Sequence, residues 1–493
     1  MSAPTIEVDS DHSAAREAMP ATAPGKVTTE TLHEEYVEPK SESFDLVASK
    51  EQLKEAVRRV DILIIPIMTV LLSFSYIDRS NMGLAAVVGM STELEFKGYD
   101  YSIMLLVFFP GYALCVLPSG YILSKTSVRY WLPFICINFG LFTLGSGLIR
   151  NQAGLLAMRI FMGISEAGCF ATVISVVCTW YPRYYVGKRL TIINTGASLI
   201  AAFSGVLAYA FSRINIPNYA GWRWIFILEG TITVLVSIAA FFILDEYPET
   251  SRFLSENHRD IIVGLIAQDR DEHLEERLTA RSIIRTLGDW KIWIFAIMYM
   301  LCVVTSYGMA YFIPLILQEK MGFSGALSQL LTTPPYFYAV ILAVTLAWLS
   351  DRQRMRSPFI AFFALNVIVG MTLTRWGPNT GSQYFGLFLT LGGSLVNGPM
   401  IVVFGQNNAP TRTARSVSSG LQLTFGAIGG IIGSTVFRSQ DAPTYTPGSI
   451  VVICCATTII ILSAIMAWHL HRQNLLNGGA ESEDGEQAFV YTI

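Results

Sequence analysis

Four ionisable residues stand inside apolar stretches long enough to cross a membrane. Asp78 and Arg79 fall within the run from Ile62 to Val87, and Arg159 and Glu166 fall within a second run that begins near Ala153. On insertion scales each such charge costs about 2.5–3.5 kcal/mol at the centre of the bilayer, so the helices must turn these groups toward one another or toward water. Two acids and two arginines kept at that depth are the chemistry of a protein that moves a charged solute, a proton, or both.

Arg159 and Glu166 are seven positions apart and share one helix face at about 100° per residue. A helix entering near Ala153 carries Arg159 about 9 Å and Glu166 about 20 Å along, and Asp78 and Arg79 lie about 15 Å from the outer end of theirs, near Val88. The four charges therefore fall at overlapping depths, with structural ion pairing of Asp78 to Arg79, or of Arg159 to Glu166, as the alternative to a functional role. Glu229, about 10 Å into a later apolar helix and flanked by Trp222 and Trp224, reads first as a structural acid beside an interfacial aromatic belt.

The elements that must hold these residues are membrane spans. The chain has 493 residues, 52% of them hydrophobic and only 14% charged, and the apolar ones come in blocks of membrane-spanning length. Twelve spans are expected, near 61–88, 101–123, 130–149, 153–180, 190–211, 222–244, 290–317, 326–349, 357–375, 383–404, 416–437 and 448–469. Residues 1–58 are rich in Ser, Thr, Glu, Pro and Ala and read as a disordered cytosolic tail, and 472–493 as a second tail. Lys and Arg fix the orientation. With the amino terminus inside, the inner loops hold Lys54, Arg58, Arg59, Lys125, Arg129, Arg183, Lys188, Arg189, the 245–291 loop, Arg352, Arg354, Arg356, Arg412, Arg415 and Arg472. The outer loops hold only Lys97, Arg150, Arg213, Arg223, Lys320, Arg375 and Arg438, so both termini are expected in the cytosol.

A long mixed-charge loop, 245–289, divides the spans into halves at 59–244 and 290–471 and reads either as amphipathic helices or as a solvated linker. The halves echo each other: Gly120-Tyr-Ile-Leu-Ser-Lys125-Thr-Ser-Val-Arg129 follows the second span, and Ala347-Trp-Leu-Ser-Asp351-Arg352-Gln-Arg354-Met-Arg356 follows the eighth. Repeated halves around a midplane site are an architecture of secondary transporters. Pro314, Pro334-Pro335 and Asn397-Gly-Pro399 read as kinks, and the runs from Gly420 to Gly433 and from Gly196 to Gly205 as close-packing surfaces. Tyr76 and Tyr307 either wall the cavity or pack. The seven cysteines all fall in apolar segments and read as small hydrophobes, without a disulfide or metal framework.

At this level of detail the sequence resembles the major facilitator superfamily. The Leu-Ser-Asp351-Arg352 loop fits its loop signature. Tyr76-Ile-Asp78-Arg79-Ser-Asn81-Met-Gly83, Arg159-Ile-Phe-Met-Gly163-Ile-Ser-Glu166-Ala-Gly168 and Trp222-Arg-Trp224-Ile-Phe-Ile-Leu-Glu229-Gly230 resemble motifs of its anion:cation symporter branch. The fungal allantoate permease-like subgroup is the most similar, and its members import small organic anions and vitamins such as allantoate, nicotinate, pantothenate and biotin. The stretch Gly405-Gln406-Asn407-Asn408-Ala-Pro410-Thr-Arg412 and the carboxyl terminus depart from that subgroup.

The resemblance implies an all-α membrane protein of 12 transmembrane helices in two pseudo-symmetric six-helix bundles. It implies that Arg79 holds the substrate carboxylate, with Tyr76, Arg159, Tyr307, Gln406 and Asn407 as further contacts; for Asn407 a helix-end cap is the alternative. Glu166 then carries the proton, Asp78 is a second protonation site or the partner of Arg79, and Asp351 with Arg352 is a conformational latch. The expected partners are a small organic anion, protons and the lipid bilayer, with a monomer in the plasma membrane, no cofactor and no nucleic acid. A proton antiporter exporting a metabolite and a non-transporting nutrient sensor are the other readings. An enzyme is not expected, because no catalytic triad, HExxH, P-loop or Gly-rich nucleotide loop occurs.

Overall fold

The computed structural model describes residues 50–493 except 182, 215, 218, 246, 272–279, 354, 410–411, 478–491 and 493. Most of the two expected tails thus lies outside the described residues. The first span is longer than expected, because Lys50–Ala85 is one helix that takes in the end of the 1–58 stretch. It continues through Ala86–Met90 and Ser91–Glu93 and breaks its helical geometry at Val88 and Gly89. Gly89 has φ +104° with open space around it, so backbone conformation, not crowding, calls for glycine there.

Ten described helices are long and apolar enough to cross a membrane, two fewer than the spans expected. Both remaining spans are helical. The second comprises Asp100–Leu106 and Phe108–Lys125, within which Asp100–Val116 is one apolar stretch. The eleventh, Arg412–Val436, is diluted by five glycines and several Ser and Thr residues. The fourth span likewise breaks after Glu166, between Gln152–Glu166 and Cys169–Trp180, and the fifth between Arg183–Ala202 and Ser204–Ser212. The others are Val128–Leu148, Gly221–Ile243, Trp290–Leu315, Gly325–Gln353, Ser357–Trp376, Thr380–Asn407 and Thr446–Asn477. In the connecting loop, Glu256–Asp271 and Ala280–Leu287 are helical.

The helix pairings of the first six spans recur in the last six. Span 1 packs on 5, 2 on 4, 3 on 4 and 6, and 1 on 6; correspondingly 7 packs on 11, 8 on 10, 9 on 10 and 12, and 7 on 12. Glycine permits the closest of these approaches. Gly140 and Gly230 bring span 3 against span 6, and Gly370 and Gly386 do the same for spans 9 and 10.

Twelve alternating spans bring Lys50 and Asn477 to one end, called here the terminal end. At the opposite, far end the halves meet through spans 1 and 7, 2 and 11, and 5 and 8. The Tyr101 hydroxyl donates to the Tyr311 carbonyl at 3.1 Å, and Gln329 Nε2 donates to the Leu84 carbonyl at 2.9 Å. Three glycines press against backbone of the other half: Gly83 on the Tyr311 carbonyl, Gly205 on that of Gln329 and Gly325 on that of Val87. A side chain at any of them would occupy the space of a carbonyl oxygen. Gly205→Leu is therefore expected to hold the far end apart. Maleimide labelling of a Val87→Cys reporter in a cysteine-free background should then rise several-fold, and unchanged labelling would show that the approach is not what closes this end.

Candidate functional site

Leu72, Ser75, Tyr76 and Arg79 follow the i, i+3, i+4, i+7 spacing of one helix face. That face lines a cavity between the halves that is open to solvent, about 710 Å³ of empty space with its mouth included. Tyr299, Val303 and Tyr307 present the facing stripe from span 7, and Phe108, Phe109, Tyr112 and Phe170 complete an aromatic wall.

Arg79 is the one cationic side chain among the residues lining this cavity. Its Nη2 lies 2.9 Å from Glu166 Oε1. Its guanidinium carbon is 5.3 Å from the centre of the Tyr76 ring and 5.2 Å from that of Tyr307, within cation–π range of both. Phe109 steadies Tyr307 edge-on at 5.2 Å, and the Tyr76 hydroxyl donates to Asn194 Oδ1 at 2.6 Å, which fixes that ring. Ser75 donates to the same Glu166 oxygen that Arg79 holds. Glu166 Oε2 and Arg79 Nε have no hydrogen-bond partner, so the pair retains unused donor and acceptor capacity. Cys169, one turn beyond Glu166 across the break in span 4, places its buried thiol on the cavity wall.

The four charges lie within electrostatic reach of one another. They form two pairs, and neither joins sequence neighbours. Arg159 Nη1 lies 3.1 Å from Asp78 Oδ2, with both side chains at most 4% exposed. Consecutive residues diverge by about 100° on a helix, so Asp78 and Arg79 cannot serve one partner. Arg159 and Glu166 share a face but are about 10 Å apart along the axis, so each meets a different level of the antiparallel first span. Arg79 leans back toward the start of its helix, as helical side chains do, and reaches the level of Ser75 and Glu166. Asp78 and Arg159 do not line the cavity, so direct substrate contact by Arg159 does not fit this conformation.

Gln406 and Asn407 are also set apart. Gln406 Nε2 donates to Ser419 Oγ at 3.1 Å, and both residues close span 10 away from the cavity. Asp351 and Arg352 lie in the last turn of Gly325–Gln353 at the terminal end, with the Asp351 side chain outside the description. Trp222 is not an interfacial belt residue: it is fully buried, and its N–H donates to Glu93 at 2.6 Å. Arg223 binds the same carboxylate at 2.7 Å. Glu229 accepts a hydrogen bond from Asn81 beside the Asp78–Arg159 pair. Ser75 and Tyr299 are not among the residues the sequence marks, and Asn81 stands in the first-span motif without an expected role. Ser75 at i−4 from Arg79 and Tyr299 at i−8 from Tyr307 were the available signals.

Comparison with known proteins gives the family. Residues 68–434 match the family description Major Facilitator Superfamily, and the chain belongs to that superfamily. It is a multi-pass membrane protein and a secondary transporter. It is 28% identical over 89% of its length to the major facilitator-type transporter hxnP of Emericella nidulans, covering 90% of that protein. It is 28% identical over 85% of its length to the high-affinity nicotinic acid transporter of Saccharomyces cerevisiae, covering 78% of it. A bacterial homologue of the human lysosomal transporter Spinster, inward-facing and unoccupied, superposes with TM-score 0.61 at 15% identity, covering 85% of this chain and 96% of that one. The partially occluded, inward-open xylose transporter XylE of E. coli gives 0.60 at 15% identity, covering 83% and 98%.

Breaking the buried Asp78–Arg159 pair from one side leaves a bare charge, at a cost of about 3–5 kcal/mol. Asp78→Ala is expected to lower the melting temperature in detergent, and the double variant Asp78→Leu/Arg159→Met is expected to recover most of the loss. A single variant that melts with the wild type would show that the pair contributes nothing to stability.

Proposed function

We propose that the protein imports a small organic anion together with protons by alternating access, as a monomer in the plasma membrane with both termini cytosolic. The observation that carries this reading is the shared guanidinium. Arg79 holds the Glu166 carboxylate inside a cavity large enough for a small carboxylate. A substrate carboxylate competes for that position, because the arginine fork suits two oxygens of either anion. Once displaced, Glu166 is a buried carboxylate without its cation, and taking up a proton removes that cost. Anion and proton therefore bind as a unit. When the anion leaves at the cytosolic end, Arg79 recaptures Glu166 and the proton departs.

The bias of Lys and Arg toward the terminal end supports placing that end in the cytosol. The far-end contacts and the likeness to inward-facing transporters support reading this conformation as the one that releases substrate. The aromatic walls around Arg79 suit a flat carboxylate, and the printed name of the yeast relative, a nicotinic acid transporter, makes nicotinate the first probe. Asp351 and Arg352 act in this scheme as a latch at the terminal end. A net positive charge carried inward gains about 2.3 kcal/mol per 100 mV, so a second proton per monoanion makes uptake voltage-driven.

In proteoliposomes, uptake of labelled nicotinate or a ureide anion should rise with an inward proton gradient and fall as the far-side pH is raised. Glu166→Gln should still exchange substrate across the membrane but lose concentrative uptake. Arg79→Ala should weaken substrate affinity at least about tenfold, the loss of roughly one charge-assisted contact. Normal accumulation by Glu166→Gln ends the coupling reading, and wild-type affinity in Arg79→Ala ends the anion reading.

A further inference from the structure

In the membrane core of the first half, the acids Asp78, Glu166 and Glu229 face two guanidiniums. Both guanidiniums are taken, Arg79 by Glu166 and Arg159 by Asp78. Glu229 is left over. It is 7% exposed, accepts one hydrogen bond from the Asn81 amide, and its Oε1 is buried without a partner. No described cation lies within ion-pair range of it.

The surroundings of Glu229 are countable from each packed element. Span 1 brings Asp78 and Asn81, and span 4 brings Arg159; those are the charged or amide groups that reach it. Span 3 meets span 6 through Gly140, Leu144 and Gly147, none of them ionisable. Span 5 brings Tyr209, whose hydroxyl accepts from Arg213 at the rim. On span 6 itself, Arg223 lies two turns nearer the far end and is held by Glu93.

Glu229 also adjoins the closing contacts. Its one partner, Asn81, lies two residues before Gly83, which presses on the Tyr311 carbonyl, and three before Leu84, whose carbonyl accepts from Gln329. Separating the halves at the far end opens this turn of span 1 to water, and closing it removes that water.

We propose that Glu229 is a second proton-binding group, loaded from the far side before the far end closes. Closure leaves its carboxyl without water and without a cation, and a bound proton is what makes that burial tolerable. This rests on the alternating-access reading but is independent of the exchange between Arg79 and Glu166. Protonated Glu229 admits closure; ionised Glu229 holds the far end open.

The test needs no substrate. The full chain, cysteine-free and carrying Val87→Cys, is reconstituted and labelled from the far side with a membrane-impermeant maleimide. Labelling is normalised to that of the exposed Thr92→Cys at the same pH, which cancels the intrinsic pH dependence of the thiol. Raising the far-side pH from mildly acidic to mildly alkaline should increase normalised labelling several-fold. Glu229→Gln, whose amide imitates the protonated acid, should stay poorly labelled at both pH values, and Glu229→Asp should retain the slope. Glu166→Gln should retain it too, even where concentrative uptake is lost. A flat response in the wild-type side chain, or a preserved slope in Glu229→Gln, overturns the proposal. A slope abolished by Glu166→Gln instead would move this role to Glu166.

Discussion

A guanidinium cannot rest in a low-dielectric interior without an anion, and the arrangement around Arg79 follows from that constraint. Burial of one charge demands a second, and the pair demands further polar groups for its remaining lone pairs and protons. Glu166 supplies the anion, Ser75 a donor to it, and two tyrosine rings the negative faces that cover the cation. The set is deliberately incomplete in a physical sense: Arg79 Nε and Glu166 Oε2 remain unsatisfied. An interior that was fully satisfied would have little reason to exchange its internal carboxylate for a visiting one.

The second pair, Arg159 with Asp78, serves a different end. It is sealed on all sides and offers the cavity nothing directly. Its effect is to consume a cation, so that the third acid of the same bundle has none. The division of three acids between two arginines, and not the identity of any single residue, separates a carboxylate that can be traded for substrate from one that depends on water or a proton.

Much of the fold was readable from the chain, because membrane helices announce themselves through uninterrupted apolar length. The glycines, serines and threonines of the eleventh span lower its hydropathy, yet it is helical throughout Arg412–Val436. At the site, the charged residues were identifiable because they are costly in lipid, but their partners were not. Periodicity tells which residues share a face; it does not tell whether Arg159 and Glu166, on one face but separated along the axis, meet the same neighbour. Gln406 and Asn407 were assigned by resemblance at positions where this sequence departs from its subgroup, and they lie off the cavity. Trp222 shows the limit of compositional rules, since a tryptophan at a helix start marks an interface only when no acid such as Glu93 draws its N–H inward.

The cysteine at the break in span 4 gives this architecture an internal reporter. Cys169 is the one thiol among the residues that wall the cavity, a single helical turn from the carboxylate that answers to substrate. Whatever fills the chamber must screen that sulfur, and whatever reopens it must uncover it. Occupancy is thus written into the reactivity of a native atom, without any probe having to be built into the protein.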